Sequence, residues 1–64
     1  MSLGRTVKRM RATRNMNQAE LAKRARLSQG YVSKLEVGAQ RNPSVAVIRR
    51  LAKTLGVPVA KLLE

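Results

Sequence analysis

Sixty-four residues with fourteen Lys and Arg against three acids, a net charge of +11, form at most one small domain with a strong pull on polyanions. With no cysteine and no histidine, disulfide staples, a Cys/His metal cage and any His- or Cys-based catalytic pair are excluded. The acids Glu20, Glu36 and Glu64 lie far apart, Asp is absent, and glycines 4, 30, 38 and 56 build no phosphate loop, so neither an enzyme nor a cofactor or metal is expected.

The first element is a helix from about Leu3 to Arg14, with Leu3, Val7 and Met10 on one face. Asn15-Met16-Asn17 is a turn. Asn17 reads as the N-cap of a second helix to about Ala25, and Glu20 completes the Asn variant of a capping box. Leu21, Ala22 and Ala25 are its buried set; Met16 and Leu21 match the spacing of a hydrophobic staple. Arg26 and Leu27 connect tightly to a third helix, capped by Ser28 and ending near Val37, where Gly38 suits a positive φ. A polar loop from Gly38 to Pro43 leads to Ser44, the cap of a fourth helix to about Leu55. Val45, Ile48, Leu51, Ala52 and Leu55 are spaced for burial along it. Gly56 stops this helix, and Pro58 opens a short fifth carrying Val59, Leu62 and Leu63.

The expected fold is therefore all-α, with five short helices in one domain, residues 1–64. Helices two and three have eight or nine residues each and almost no linker. Helices shorter than ~12 residues are marginal in water, so these two must form a packed pair. In LSQGYVSKLE, Leu27, Tyr31, Val32 and Leu35 fall at burial spacing. The opposite face holds Gln29, Ser33 and Lys34 rather than the Glu/Lys mixture of a solvated helix, with Gly30, a poor helix former, in the first turn. No apolar run approaches the ~18 residues of a membrane span, so a cytoplasmic protein without a membrane partner is the expectation.

A short helix pair with a tight turn on a strongly basic all-α domain is the description of a helix-turn-helix. NQAELAKRARLSQGYVSKLEVG, followed by NPS and LAKTLGV, resembles the Xre/Cro-type helix-turn-helix of phage repressors from about Arg5 to Leu63. The ordered set Gln18, Leu21-Ala22, Ser28, Val32-Ser33, Leu35-Glu36, Gly38, Pro43, Leu51-Ala52, Leu55-Gly56-Val57 carries the resemblance. It implies a lambda-repressor-like DNA-binding domain with the helix-turn-helix at about 17–37. The implied function is a sequence-specific transcriptional regulator of double-stranded DNA, a repressor by type, with the third helix in the major groove.

On that resemblance Gln29, Gly30, Ser33 and Lys34 are the base-reading residues. Gln29 can pair with adenine N6 and N7, and Lys34 can donate to guanine O6 and N7. Gly30 either permits a close approach to the duplex or is a tolerated substitution. Phosphate contacts are assigned to Asn17 and Gln18 at a helix N-terminus, to Ser28 and Tyr31, and to Arg41, Asn42 and Ser44 in the second backbone clamp. Tyr31 has packing against helix two as its alternative, and Asn17 and Ser44 also serve as caps. Glu36 aligns with a buried helix-three glutamate whose helix-one partner is Arg11, a structural ion pair.

Three departures from the family pattern stand out. Arg26 replaces a glycine at a positive-φ position, so it carries strain or the turn is reshaped. Val37 replaces a polar residue that often touches phosphate. Arg5, Lys8, Arg9 and Arg14 on helix one, and Arg49, Arg50 and Lys53 on helix four, exceed what the family needs. Family members usually bind as homodimers, and Val57, Pro58, Val59 and Leu62 are the expected dimer contact, with closure of the monomer core as the alternative for Leu62 and Leu63. Other classes remain open: an antitoxin-type module that binds a protein toxin while regulating its own gene, and a non-specific basic DNA binder.

Overall fold

The computed structural model describes residues 3–40 and 42–63, which contain α1 Leu3–Thr13, α2 Gln18–Ala25, α3 Gln29–Glu36, α4 Val45–Leu55 and α5 Val59–Leu62. Three of these helices start on side-chain caps. Asn17 Oδ1 accepts from the Glu20 N–H at 2.8 Å while the Asn17 N–H donates to Glu20 Oε1 at 3.1 Å, the two halves of a capping box. Ser28 Oγ accepts from the Tyr31 N–H at 3.0 Å, and Ser44 Oγ from the Val47 N–H at 3.2 Å. Each cap satisfies one N–H that the helix itself cannot reach.

The four longer helices end alike. A residue in the left-handed region follows the helix, and the next N–H reaches back to a carbonyl five positions earlier. Met16 donates to the Arg11 carbonyl at 3.2 Å, Leu27 to Ala22 at 2.8 Å, Ala39 to Lys34 at 2.8 Å and Val57 to Ala52 at 3.0 Å. The left-handed residues are Asn15, Arg26, Gly38 and Gly56, with φ of 56, 59, 85 and 72°. The turn between α2 and α3 is thus not reshaped around Arg26. The arginine adopts the conformation a glycine would, because this closure is what ends α2 and aims the chain into α3. An L-residue in that region costs roughly 1–2 kcal/mol.

Helix α2 packs on α3 and α4, α1 on α3, α4 and α5, and α5 on α4. The core they enclose consists of Val7, Met16, Leu21, Ala22, Ala25, Val32, Leu35, Leu51, Ala52, Leu55 and Leu62. Val45 does not join it: it is 64% exposed, while Val47 and Ile48 are half-buried against the core. Periodicity identifies the inward stripe of α4 but not how far along it the neighbouring helices reach, and Val45 lies in the first turn, beyond them. Gly4 brings α1 onto the backbone of α3. A Cβ there would overlap the Leu35 carbonyl oxygen and lie 2.8 Å from its carbon and 3.1 Å from the Glu36 Cα.

Two substitutions should therefore act against their usual sign in thermal melts. Gly4→Ala, which propensity alone favours by about 1 kcal/mol, lowers Tm because the α1–α3 crossing must open. Arg26→Gly raises stability by about 0.5–1 kcal/mol, the relieved strain less the added chain entropy. That corresponds to several degrees in a domain of this size. A Gly4→Ala protein as stable as the parent would rule out the close crossing.

Candidate nucleic-acid interface

Helix α3 packs mainly against α1 and α2. Val32 and Leu35 point into the core at 0 and 1% exposure, and Glu36 is buried beside them. The other side carries Gln29, Gly30 and Lys34, all exposed, and Ser33, half-buried. Residues four apart stack on a helix, so Gln29–Ser33 and Gly30–Lys34 form two adjacent rows on one surface. Val37, 77% exposed, continues the first row and places no donor at its end. A Cβ on Gly30 would meet nothing within 4 Å, so nothing inside the domain requires glycine there. Tyr31 is half-buried and packs against the core.

The residues assigned to phosphates lie at helix starts. Asn17 and Ser28 are exposed caps of α2 and α3, and Ser44 is the exposed cap of α4, with Asn42 exposed before it. Arg41 lies outside the described residues. Gln18 is different: its Nε2 donates to Glu36 Oε1 at 3.0 Å, so the amide works inside the fold. What α2 offers outward at this point is the backbone N–H groups of its first turn.

Glu36 is the centre of that inner arrangement, with 1% of its side chain exposed. Arg11 Nε donates to Oε2 at 2.7 Å and Arg11 Nη2 to Oε1 at 3.0 Å, a two-pronged fork. Arg11 Nη1 donates to the Met16 carbonyl at 2.7 Å, tying the α1–α2 turn to the same group. Burial alone would push the Glu36 carboxyl up. The hydrogen bonds from Arg11 and Gln18, with the charges of Arg11 and Lys8, outweigh it and hold the carboxyl below its usual range. Its hydrogen bond raises the Arg11 guanidinium, against the opposing effect of burial. The part Gln18 takes has no signal in residue spacing: nothing in the sequence says that the start of α2 meets the end of α3.

At the other end of the chain, Val57 and Val59 are half-buried against the core, and Pro58 is exposed. Leu62 is fully buried within the monomer and is corrected from dimer contact to core residue. The apolar side chain left open on α5 is its neighbour Leu63, 61% exposed. Among the described residues there is no group of His, Cys, Asp and Glu able to hold a metal ion, and no helix is long and apolar enough to cross a membrane.

The Helix-turn-helix family matches residues 7–62. The immunity repressor protein of Bacillus phage phi105 is 32% identical over 62 residues, covering 97% of this chain and 42% of that protein. The HTH-type transcriptional regulator SinR of Bacillus subtilis is 31% identical over 62 residues, 97% of this chain and 56% of its own length. The chain thus spans about half the length of these relatives. The crystal structure of SinR, the master regulator for biofilm formation, in complex with DNA superposes with a TM-score of 0.93 at 31% identity, covering 97% of this chain and 98% of that one.

The depressed Glu36 carboxyl gives stability a pH dependence of fixed sign. Its contribution is complete above the unfolded value of about 4.3 and disappears as pH falls through the lower folded value. Melts from pH 7 to pH 3 should show Tm falling below about pH 5. Glu36→Gln, less stable at pH 7, should show a shallower acid limb. Parallel limbs in the two proteins would mean that this carboxylate does not carry the dependence.

Proposed function

The chain belongs to the helix-turn-helix family, and we propose that it acts as a sequence-specific transcriptional regulator of double-stranded DNA, a repressor by type. The described residues form one DNA-binding domain whose helix-turn-helix, at about 17–37, lays α3 in the major groove. The observation that carries this reading is the free face of α3. Gln29, Gly30, Ser33 and Lys34 lie on the surface that no other helix covers, on a protein of net charge +11. Gln29 and Lys34 read base edges, Ser33 adds a hydroxyl, and Gly30 lets the start of α3 come close to the duplex. The N–H groups opening α2, with Asn17, Ser28, Tyr31, Asn42 and Ser44, hold the phosphates and set the register.

The domain measures 23 × 23 × 20 Å, enough for one stretch of major groove. Two half-sites a helical turn apart, ~34 Å, require two copies. The dimer contact runs through Val57, Pro58 and Val59 with Leu63, an apolar strip too small to hold a strong dimer without DNA.

A selection from random duplexes at near-physiological salt tests this reading. The expected winner is a two-fold symmetric site bound ~10³-fold or more above random DNA. Gln29→Ala should lose roughly 1–3 kcal/mol of discrimination at one base pair per half-site. Gly30→Ala should bind the site less tightly while melting higher. No consensus, and a steep salt dependence on every sequence, would instead describe a non-specific basic binder.

A further inference from the structure

A second surface on this domain is outside the face just described. Between the C-terminal half of α2 and that of α4 lies an open cleft of about 510 Å³, lined by Arg24, Arg26, Arg50, Lys53 and Thr54. Its lining, among the described residues, holds four cations and no carboxylate. Among the described residues the acids are used elsewhere: Glu36 is buried against Arg11 and Gln18, and Glu20 closes the α2 cap. The cleft also lies at the far end of α2 and α4 from the Asn17 and Ser44 caps, where those helices offer their N–H groups.

The general explanation for basic residues at helix ends falls short. Cations in the last turn complement the helix dipole, which accounts for Arg24 on α2 and Lys53 on α4. It does not account for Arg50, and at Arg26, the C-cap of α2, it leaves the steric cost of a left-handed conformation that glycine would not incur. Nor is like charge expected to converge on a concave site without a counter-ion, since a cleft concentrates the repulsive field.

We propose that this cleft binds an oligophosphate, two or three linked phosphates taken either as a free anion or as the tail of a nucleotide. Its volume falls within the 300–1,000 Å³ of small-molecule sites. Arginine meets phosphate oxygens two at a time, Lys53 adds a point charge, and the Thr54 hydroxyl adds a donor. Among the described residues no aromatic or large apolar side chain lines the cleft, so none of them stacks on a base there. The site recognises the phosphates. This inference does not depend on the DNA-binding reading.

The test is calorimetric titration of the whole chain with inorganic tripolyphosphate at ~150 mM salt, where general attraction to a +11 protein is largely screened. The double variant Arg50→Gln/Lys53→Gln is compared with Arg9→Gln/Arg49→Gln, which removes the same charge from exposed positions outside the cleft. Saturable one-to-one binding, weakened about tenfold or more by the cleft variant and little by the control, supports the proposal. A nucleoside triphosphate titrated alongside identifies the source: affinity equal to that of tripolyphosphate means the site takes the tail of a nucleotide by its phosphates alone, and weaker binding means it takes the free anion. Equal loss in both variants, or no saturable binding, overturns the site. So does the finding that the cleft variant binds no less tripolyphosphate but lowers the salt slope of duplex binding by about one per cation removed, which would make the cleft part of the duplex contact. Melts of each variant establish that it is folded. Failure here leaves the DNA selection experiment untouched, and failure there leaves this one standing.

Discussion

One buried carboxylate joins the three helices that matter most. Glu36, in the last turn of α3, takes the Arg11 fork from α1 and the Gln18 amide from the start of α2. A buried ion pair adds little net stability over an apolar replacement, though removing one partner costs about 3–5 kcal/mol. What this one supplies is direction. Successive residues on a helix are about 100° apart, so holding Glu36 inward sets the rotation of α3 about its own axis. Once that rotation is set, Gln29, Gly30, Ser33 and Lys34 have to face outward. The same guanidinium holds the Met16 carbonyl, so the α1–α2 turn and the orientation of α3 are parts of one constraint. A lysine could not replace it, because a point charge cannot make the fork and the third bond together.

Short helices raise the importance of their ends. At eight residues each, α2 and α3 leave about as many backbone groups unpaired at their ends as they pair in internal hydrogen bonds. The repeated left-handed closure and the three side-chain caps satisfy those groups locally. The connections are then short enough for each helix to be positioned by its neighbour. Gly4 applies the same economy to packing: with no Cβ, α1 crosses directly over the backbone of α3, next to the residue that Arg11 holds. Crossing and ion pair reinforce each other.

The charge balance has a structural side as well. Of the acids among the described residues, Glu36 is sealed within the fold and Glu20, on the surface, is engaged in the α2 cap, so little negative charge offsets the cationic side chains. A net charge of +11 promotes encounter with any polyanion and discriminates little. Discrimination must then come from places where shape and hydrogen-bonding groups are arranged: the uncovered face of α3 and the concave side of α2 and α4.

The helix order, the three caps, the positive φ of Gly38 and most of the core were legible in the residues alone, because each depends on groups within about one turn of one another. The outward set on α3 was legible too, by subtracting its apolar stripe. Everything that depended on where one helix meets another was not. Val45 has the right spacing for burial and is exposed, since spacing defines a face and not its reach. Leu62 could serve a partner or the core, and only the packing of α5 on α1 and α4 put it in the core. Gln18 has the composition of a phosphate ligand, yet its amide turns inward to Glu36. Arg26 kept the left-handed turn that its side chain disfavours, because the closure of α2 and the entry to α3 leave the backbone no other course. Local hydrogen bonds and periodicity are written in the chain; distances between residues far apart in it are settled only when the helices pack.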